Sequence, residues 1–243
     1  MNLRKIQLLI FILVPLVNFG VNFFFPSPFD DDLPVLIQPA GYAFAIWGPI
    51  FLGMLIYSWF QLNSKRVESP HLSSATKAGI LAGLASIAFV PISYTDIQWL
   101  GFINIIWHLV ALIWLFVSLR KQILLEINKN THWYYLPTQM YLGWICAATA
   151  VSAALMLADA GIILSIETQT LVTVVVIGAL VLVGIIMALN KGMTVALVVI
   201  WALIGVIVEN GDIALIKYAA MAGIAILFLV VMPQIIKRKR LAF

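Results

Sequence analysis

Few side chains in this sequence could move a proton or hold a metal. His108 and Asn104 are one helical turn apart in an apolar run, beside Trp107. A neutral imidazole nitrogen is a good axial ligand for a metal or for the metal of a tetrapyrrole. The plainer role for both residues is to hydrogen-bond to a neighbouring helix. Lys217 is a lone cation near the outer end of the last apolar stretch, and its long stem suits a side chain that snorkels to the surface near Glu209 or Asp212. A Schiff-base role for it would need a carboxylate inside the bundle, and every acid lies at a segment end or in a loop. Asp30, Asp31 and Asp32 read as a solvated acidic loop. The single Cys146 excludes a disulfide within the chain. With no buried carboxylate pair, no nucleophile beside a base and no metal-ligand cluster, the sequence does not read as an enzyme, and it requires no cofactor or metal.

Aromatic residues are more informative. Phe44, Trp47 and Phe51 recur at helical spacing and would put three rings on one side of a helix. Pro39 and Gly41 suit the entrance to that helix, and Pro49 is expected to bend it and free the carbonyl near Ala45. A second set, Tyr141 and Trp144, flanks a smooth stripe of Gly143, Ala147, Ala150 and Ala154, the kind that lets membrane helices approach closely. Such rings could wall an apolar pocket. They could equally serve as packing residues or interface belts, as Trp133, Tyr134 and Tyr135 do by position.

The elements that must position these residues are membrane helices. The chain has 243 residues, 63% hydrophobic and 10% charged, far from the composition of a soluble domain. Apolar stretches at 6–25, 41–61, 78–94, 100–119, 136–158, 169–189, 193–208 and 212–235 predict eight spans, the third and seventh being short. The first run is long enough to span, ends in Phe-Phe-Phe-Pro and lacks a cleavage site, so it reads as a retained helix. With eight spans and a cytoplasmic N-terminus, every Lys and Arg of the 14 except Lys217 falls inside, and every acid except Glu68 and Glu126 falls outside. That segregation places both termini in the cytoplasm. The basic tail Lys237–Arg240 then reads as an orientation signal. The net charge of +4 belongs to this pattern and does not point to nucleic acid.

With these residues in view, the chain resembles the TspO/MBR family, the tryptophan-rich sensory proteins related to the translocator protein. Pro39, Gly41, Tyr42, Phe44 and Trp47 match the family's second-helix hallmark. Pro137, Tyr141, Leu142, Gly143, Trp144 and Thr149 match its fifth helix. The resemblance covers residues 1–158 as a five-helix core. It suits a longer bacterial branch with three added helices, here 159–243, whose seventh helix is similar to Trp201-Ala-Leu-Ile-Gly205. It implies an all-α protein of a bacterial cytoplasmic (inner) membrane. The implied function is to bind, transport or sense a flat apolar ligand such as a tetrapyrrole or a sterol-like molecule. Phe44, Trp47, Phe51, Tyr141 and Trp144 would form the wall, with His108 and Asn104 as polar contacts. Homodimers occur in the family. Tyr42 in place of an early Trp, Ala85 to Pro91 in place of an Asn-Trp and proline pair, and Ser152 in place of a late Asn remove polar handles and an indole from the implied pocket. A different class of function is a membrane protein that assembles or regulates a partner complex through its added helices. Gly178, Gly184 and Gly205 form no clean stripe for that purpose.

Overall fold

The computed structural model describes residues 2–24, 35–63, 69–95, 97–125, 135–162 and 165–240. The acidic triplet Asp30–Asp32 and the anchor residues Trp133 and Tyr134 lie outside them. The described residues form eight long helices and no strand: α1 Leu3–Phe24, α2 Trp47–Asn63, α3 Pro70–Ser93, α4 Gln98–Leu125, α5 Tyr135–Asp159, α6 Ile166–Leu189, α7 Met193–Asn210 and α8 Ala214–Arg240. Counting the 3-10 turn Gly41–Ile46 with α2, each supplies a stretch long and apolar enough to cross a membrane. The protein is an all-α integral membrane protein with eight membrane-spanning helices.

Two boundaries differ from the hydropathy reading, each for a local reason. The turn Gly41–Ile46 is 3-10, and the α-helix begins only at Trp47. Pro49 is therefore the third residue of α2, where its missing N–H has no intrahelical acceptor to lose. The helix type changes just before Trp47. Helix α3 starts eight residues earlier than its apolar stretch, because its polar first turns are paired. The Ser69 hydroxyl caps the helix by accepting the Leu72 N–H at 3.1 Å, and Pro70 follows at the first helical position. Deeper in, the Thr76 hydroxyl donates to the Leu72 carbonyl at 2.9 Å, and Ser74 pairs with Ser118 of α4 at 2.9 Å.

The chain forms two compact units, one of residues 1–32 and 45–145 and the other of 33–44 and 146–243. Helix α5 contributes its first half to one and its second half to the other. In the first unit α1 packs on α2 and α3, and α3 packs on α4. The start of α5 comes close to α2, where a Cβ on Gly53 would stand 2.8 Å from Pro137 Cβ.

In the second unit α6, α7 and α8 pack pairwise around Ile177, Leu180, Val199, Leu203, Ile216 and Leu227. Gly184 of α6 and Gly223 of α8 lie where a side chain would strike Leu227 and Val181, so these glycines serve the internal packing. Of the small stripe on α5, Ala150 and Ala154 pack into this cluster. Val35, Leu36 and Ile37 are buried in it as well. The residues that follow them lie along α7. The Ala40 N–H donates to the Gly205 carbonyl at 3.0 Å, Trp201 Nε1 to the Ala43 carbonyl at 3.0 Å, and Asn210 Nδ2 to the Gln38 carbonyl at 3.4 Å. Gly205 allows this approach, since its Cβ would stand 2.7 Å from Pro39 Cβ.

Helix α6 ends in a Schellman motif. The N–H groups of Lys191 and Gly192 bond to the carbonyls of Ala188 and Met187, and Lys191 holds φ +65°.

Candidate functional site

In the first unit the predicted aromatic residues meet around Trp47, at the start of α2. Its indole stacks on Phe51, one turn along, with centroids 5.0 Å apart and planes at 27°. Tyr141 and Trp144 of α5 meet the same indole edge-on, at 5.8 and 6.1 Å. Phe51 contacts Tyr141 at 6.5 Å and, from α1, Phe19 at 5.6 Å. Offset-stacked and edge-to-face contacts in this range are the favoured aromatic geometries. The rings fill one another's faces, so a flat ligand must part Trp47 from Tyr141 and Trp144 to stack between them. Trp47 is the ring best placed to yield: it is only partly buried, whereas Tyr141 and Trp144 are 0% and 2% exposed.

A polar layer backs the rings. The His108 imidazole of α4 packs edge-on against Tyr141 at 4.8 Å. One turn before it, Asn104 Nδ2 donates to the Ala85 carbonyl of α3 at 3.2 Å, the interhelical bond expected of a polar residue in a span. From α1, Asn18 Nδ2 reaches the Val14 carbonyl at 2.8 Å and Ser86 Oγ at 3.4 Å. The Tyr141 hydroxyl faces Ser86 without hydrogen-bond geometry. Three buried atoms on this layer have no hydrogen-bond partner: Asn104 Oδ1, His108 Nε2 and the Tyr141 hydroxyl. A buried polar atom left unpaired costs about 1–3 kcal/mol, so three together mark a place where a ligand or water would be bound with gain.

Phe44 belongs to the segment of the second unit that lies along α7. Tyr42 stands edge-on to Trp201 at 5.4 Å, inside the second unit. Trp107 is 40% exposed and turned to the outside of the helix. Lys217 is exposed in the first turn of α8, as a snorkelling side chain would be. No cluster of three or more metal-ligating side chains occurs among the described residues.

The sequence reading passed over Asn18, Ser86 and the Tyr141 hydroxyl. A signal for Asn18 was present, because Gln7 and Asn18 interrupt one apolar run about three helical turns apart and so share a face.

No curated protein and no solved structure gives a significant match to the chain. The family model described as TSPO-like protein matches residues 5–233, through all five helices around the aromatic site and most of the three that follow. The chain belongs to the TSPO-like family.

Proposed function

We propose that the first unit binds a flat, largely apolar molecule, a tetrapyrrole or a sterol-like compound, at the cluster of Trp47, Phe51, Tyr141 and Trp144. Binding serves transport or sensing, not catalysis. The observation that carries this reading is the set of unpaired atoms on Asn104, His108 and Tyr141, buried directly behind an aromatic wall. Apolar pockets orient their ligands through a few such groups. The site supplies ring faces for stacking, an acceptor on Asn104, and an imidazole nitrogen that could approach a metallated macrocycle. It contains no charged side chain among the described residues, so ionised groups on the ligand would have to remain towards the membrane surface.

The reading includes residues 1–158 as the translocator-like core, 159–243 as its extension and both termini in the cytoplasm of a bacterium. A homodimer is part of the proposal. For a role in assembling a partner complex, the glycines of α6–α8 give little support. Gly184, Gly205 and Gly223 are used within the unit, and only Gly178 faces open space.

The test is a titration of the detergent-purified protein with protoporphyrin, haem and a sterol, following the Soret band and tryptophan fluorescence. Saturable binding is expected, weakened at least tenfold by Trp47→Ala or Trp144→Ala and unchanged by Trp59→Ala on the exposed face of α2. Selective loss of haem binding in His108→Ala would assign that residue as an axial ligand. Absence of saturable binding to all three ligands would overturn the proposal.

A further inference from the structure

The polar layer behind the rings lacks a particular kind of partner. A backbone carbonyl can only accept, so the atom of the Asn104 carboxamide that meets the Ala85 carbonyl at 3.2 Å must be Nδ2. That bond fixes the orientation of the amide and leaves Oδ1, which can only accept, buried without a donor. The amide N–H groups that Asn18 brings to the layer are directed at the Val14 carbonyl and at Ser86. Tyr141 reaches the same level of α3, its hydroxyl facing Ser86, the residue after Ala85. That hydroxyl can both give and take a hydrogen bond, and here it makes none. His108 Nε2, on the ring packed against Tyr141, gives or takes according to which of its nitrogens carries the proton.

These needs discriminate among the groups that a flat apolar body can carry. A ketone or aldehyde offers only an acceptor, which suits the Tyr141 hydroxyl and leaves Asn104 Oδ1 unpaired. A pyrrole N–H gives a proton but has no lone pair to offer in return. A carboxylate or ammonium group would bring a full charge among membrane helices where no charged side chain of the described site residues meets it. A hydroxyl is small and neutral, and its one oxygen can give a proton to Asn104 and accept one from Tyr141.

We infer that the ligand of the aromatic cluster carries a neutral hydroxyl at its buried end, and that Asn104 is the residue that selects for it. The inference rests on the ring cluster being the binding site and names the group that this site recognises. Asn104 Oδ1 accepts the hydroxyl proton, the Tyr141 hydroxyl donates to the hydroxyl oxygen, and Trp47, Phe51 and Trp144 hold the flat body.

The test compares four probes that share one flat body: hydroxymethylpyrene, pyrene carboxaldehyde, methylpyrene and pyrene carboxylate, all substituted at the same ring carbon. Affinity for the full-length protein in detergent is read from quenching of tryptophan fluorescence, with partition into protein-free micelles subtracted and Tm measured for every variant. The alcohol should bind about tenfold tighter than the aldehyde, the difference expected from one buried acceptor left unpaired, and the carboxylate should bind weakest. Asn104→Leu should abolish the preference for alcohol over aldehyde. Tyr141→Phe should weaken both by a similar factor and keep the preference, because the lost hydroxyl donates to either oxygen. Should Asn104→Leu fail to fold without its bond to Ala85, the alcohol-to-aldehyde ratio in the unaltered protein and in Tyr141→Phe still decides. Saturable binding of both probes with equal affinity overturns the inference and leaves the ring site standing, as does a preference that survives Asn104→Leu. Saturable binding of protoporphyrin, haem or a sterol with no binding of any pyrene overturns it too. Binding of none of these compounds removes the ring site along with it.

Discussion

The two compact units are built from the same kind of helix and spend their interiors differently. Among the described residues, every buried polar or charged side chain except Thr173 belongs to the first unit. The second is filled with Val, Ile, Leu and Ala, drawn close by Gly184, Gly205 and Gly223. In a bilayer, aliphatic interiors gain from packing alone, while buried polar atoms are a cost unless they are paired or used. The second unit thus carries the features of a scaffold. The first retains unpaired atoms at two levels, Asn104, His108 and Tyr141 behind the rings and Gln7 and Gln61 on α1 and α2.

Mutations that harm one unit and spare the other sharpen the contrast. Leu203→Ala, at a fully buried position of α7, should destabilise by about 2–5 kcal/mol, read as a fall in Tm in detergent, with ligand affinity at the rings unchanged in the folded fraction. Gly205→Leu drives a side chain into Pro39 and should cost about 1–3 kcal/mol; hydrogen exchange at Ala40 should rise with it. Trp201→Phe removes the bond to Ala43 but keeps most of the ring, for about 1 kcal/mol. Lys191→Gly places a glycine at a left-handed position and should stabilise by about 0.5 kcal/mol.

The smallest stability change is the most diagnostic. Tyr141→Phe removes an unpaired hydroxyl and should leave Tm unchanged or slightly raised while weakening ligand binding. A loss of about 2 kcal/mol of stability in that variant would mean that the hydroxyl is structurally paired in solution, and the distinction between the units would fail at its central residue.

The eight spans were legible because an apolar run of bilayer length has few alternative fates, whereas helical spacing gave only the shared side of Trp47 and Phe51, and their grouping with Tyr141 and Trp144 came from the family resemblance. What hydropathy could not supply was pairing at a distance. Helix α3 looked short because Ser73, Ser74 and Thr76 read as polar, and nothing local shows that Ser118 and Gln61 face two of them across the bundle. His108 and Asn104 were singled out, but their backing by Ser86 and Asn18 depends on which faces of α1 and α3 turn inward. The 3-10 turn Gly41–Ile46, which holds Phe44, was not legible, because its apolar residues look the same as those of an α-helix. The position of Pro49 within its helix was not legible either, since the start is set by the change to α-geometry at Trp47.

The segment along α7 also bears on how the protein is made. Gln38, Ala40 and Ala43 are synthesised between the first two spans, yet their backbone groups are settled by Asn210, Gly205 and Trp201; the outermost of these bonds join residues 158 and 172 positions apart. While the intervening helices are being inserted, this stretch has only its own short-range bonds, Gln38 N–H to the Val35 carbonyl and Ala43 N–H to the Ala40 carbonyl, and must wait at the membrane surface. It is a latch that closes only after α7 has been threaded, and a ribosome stalled before that point leaves a chain with its early helices inserted but the approach to Trp47 unfastened. Protease sensitivity between Gln38 and Ala43 would therefore serve as a clock for completion of the C-terminal helices during biogenesis.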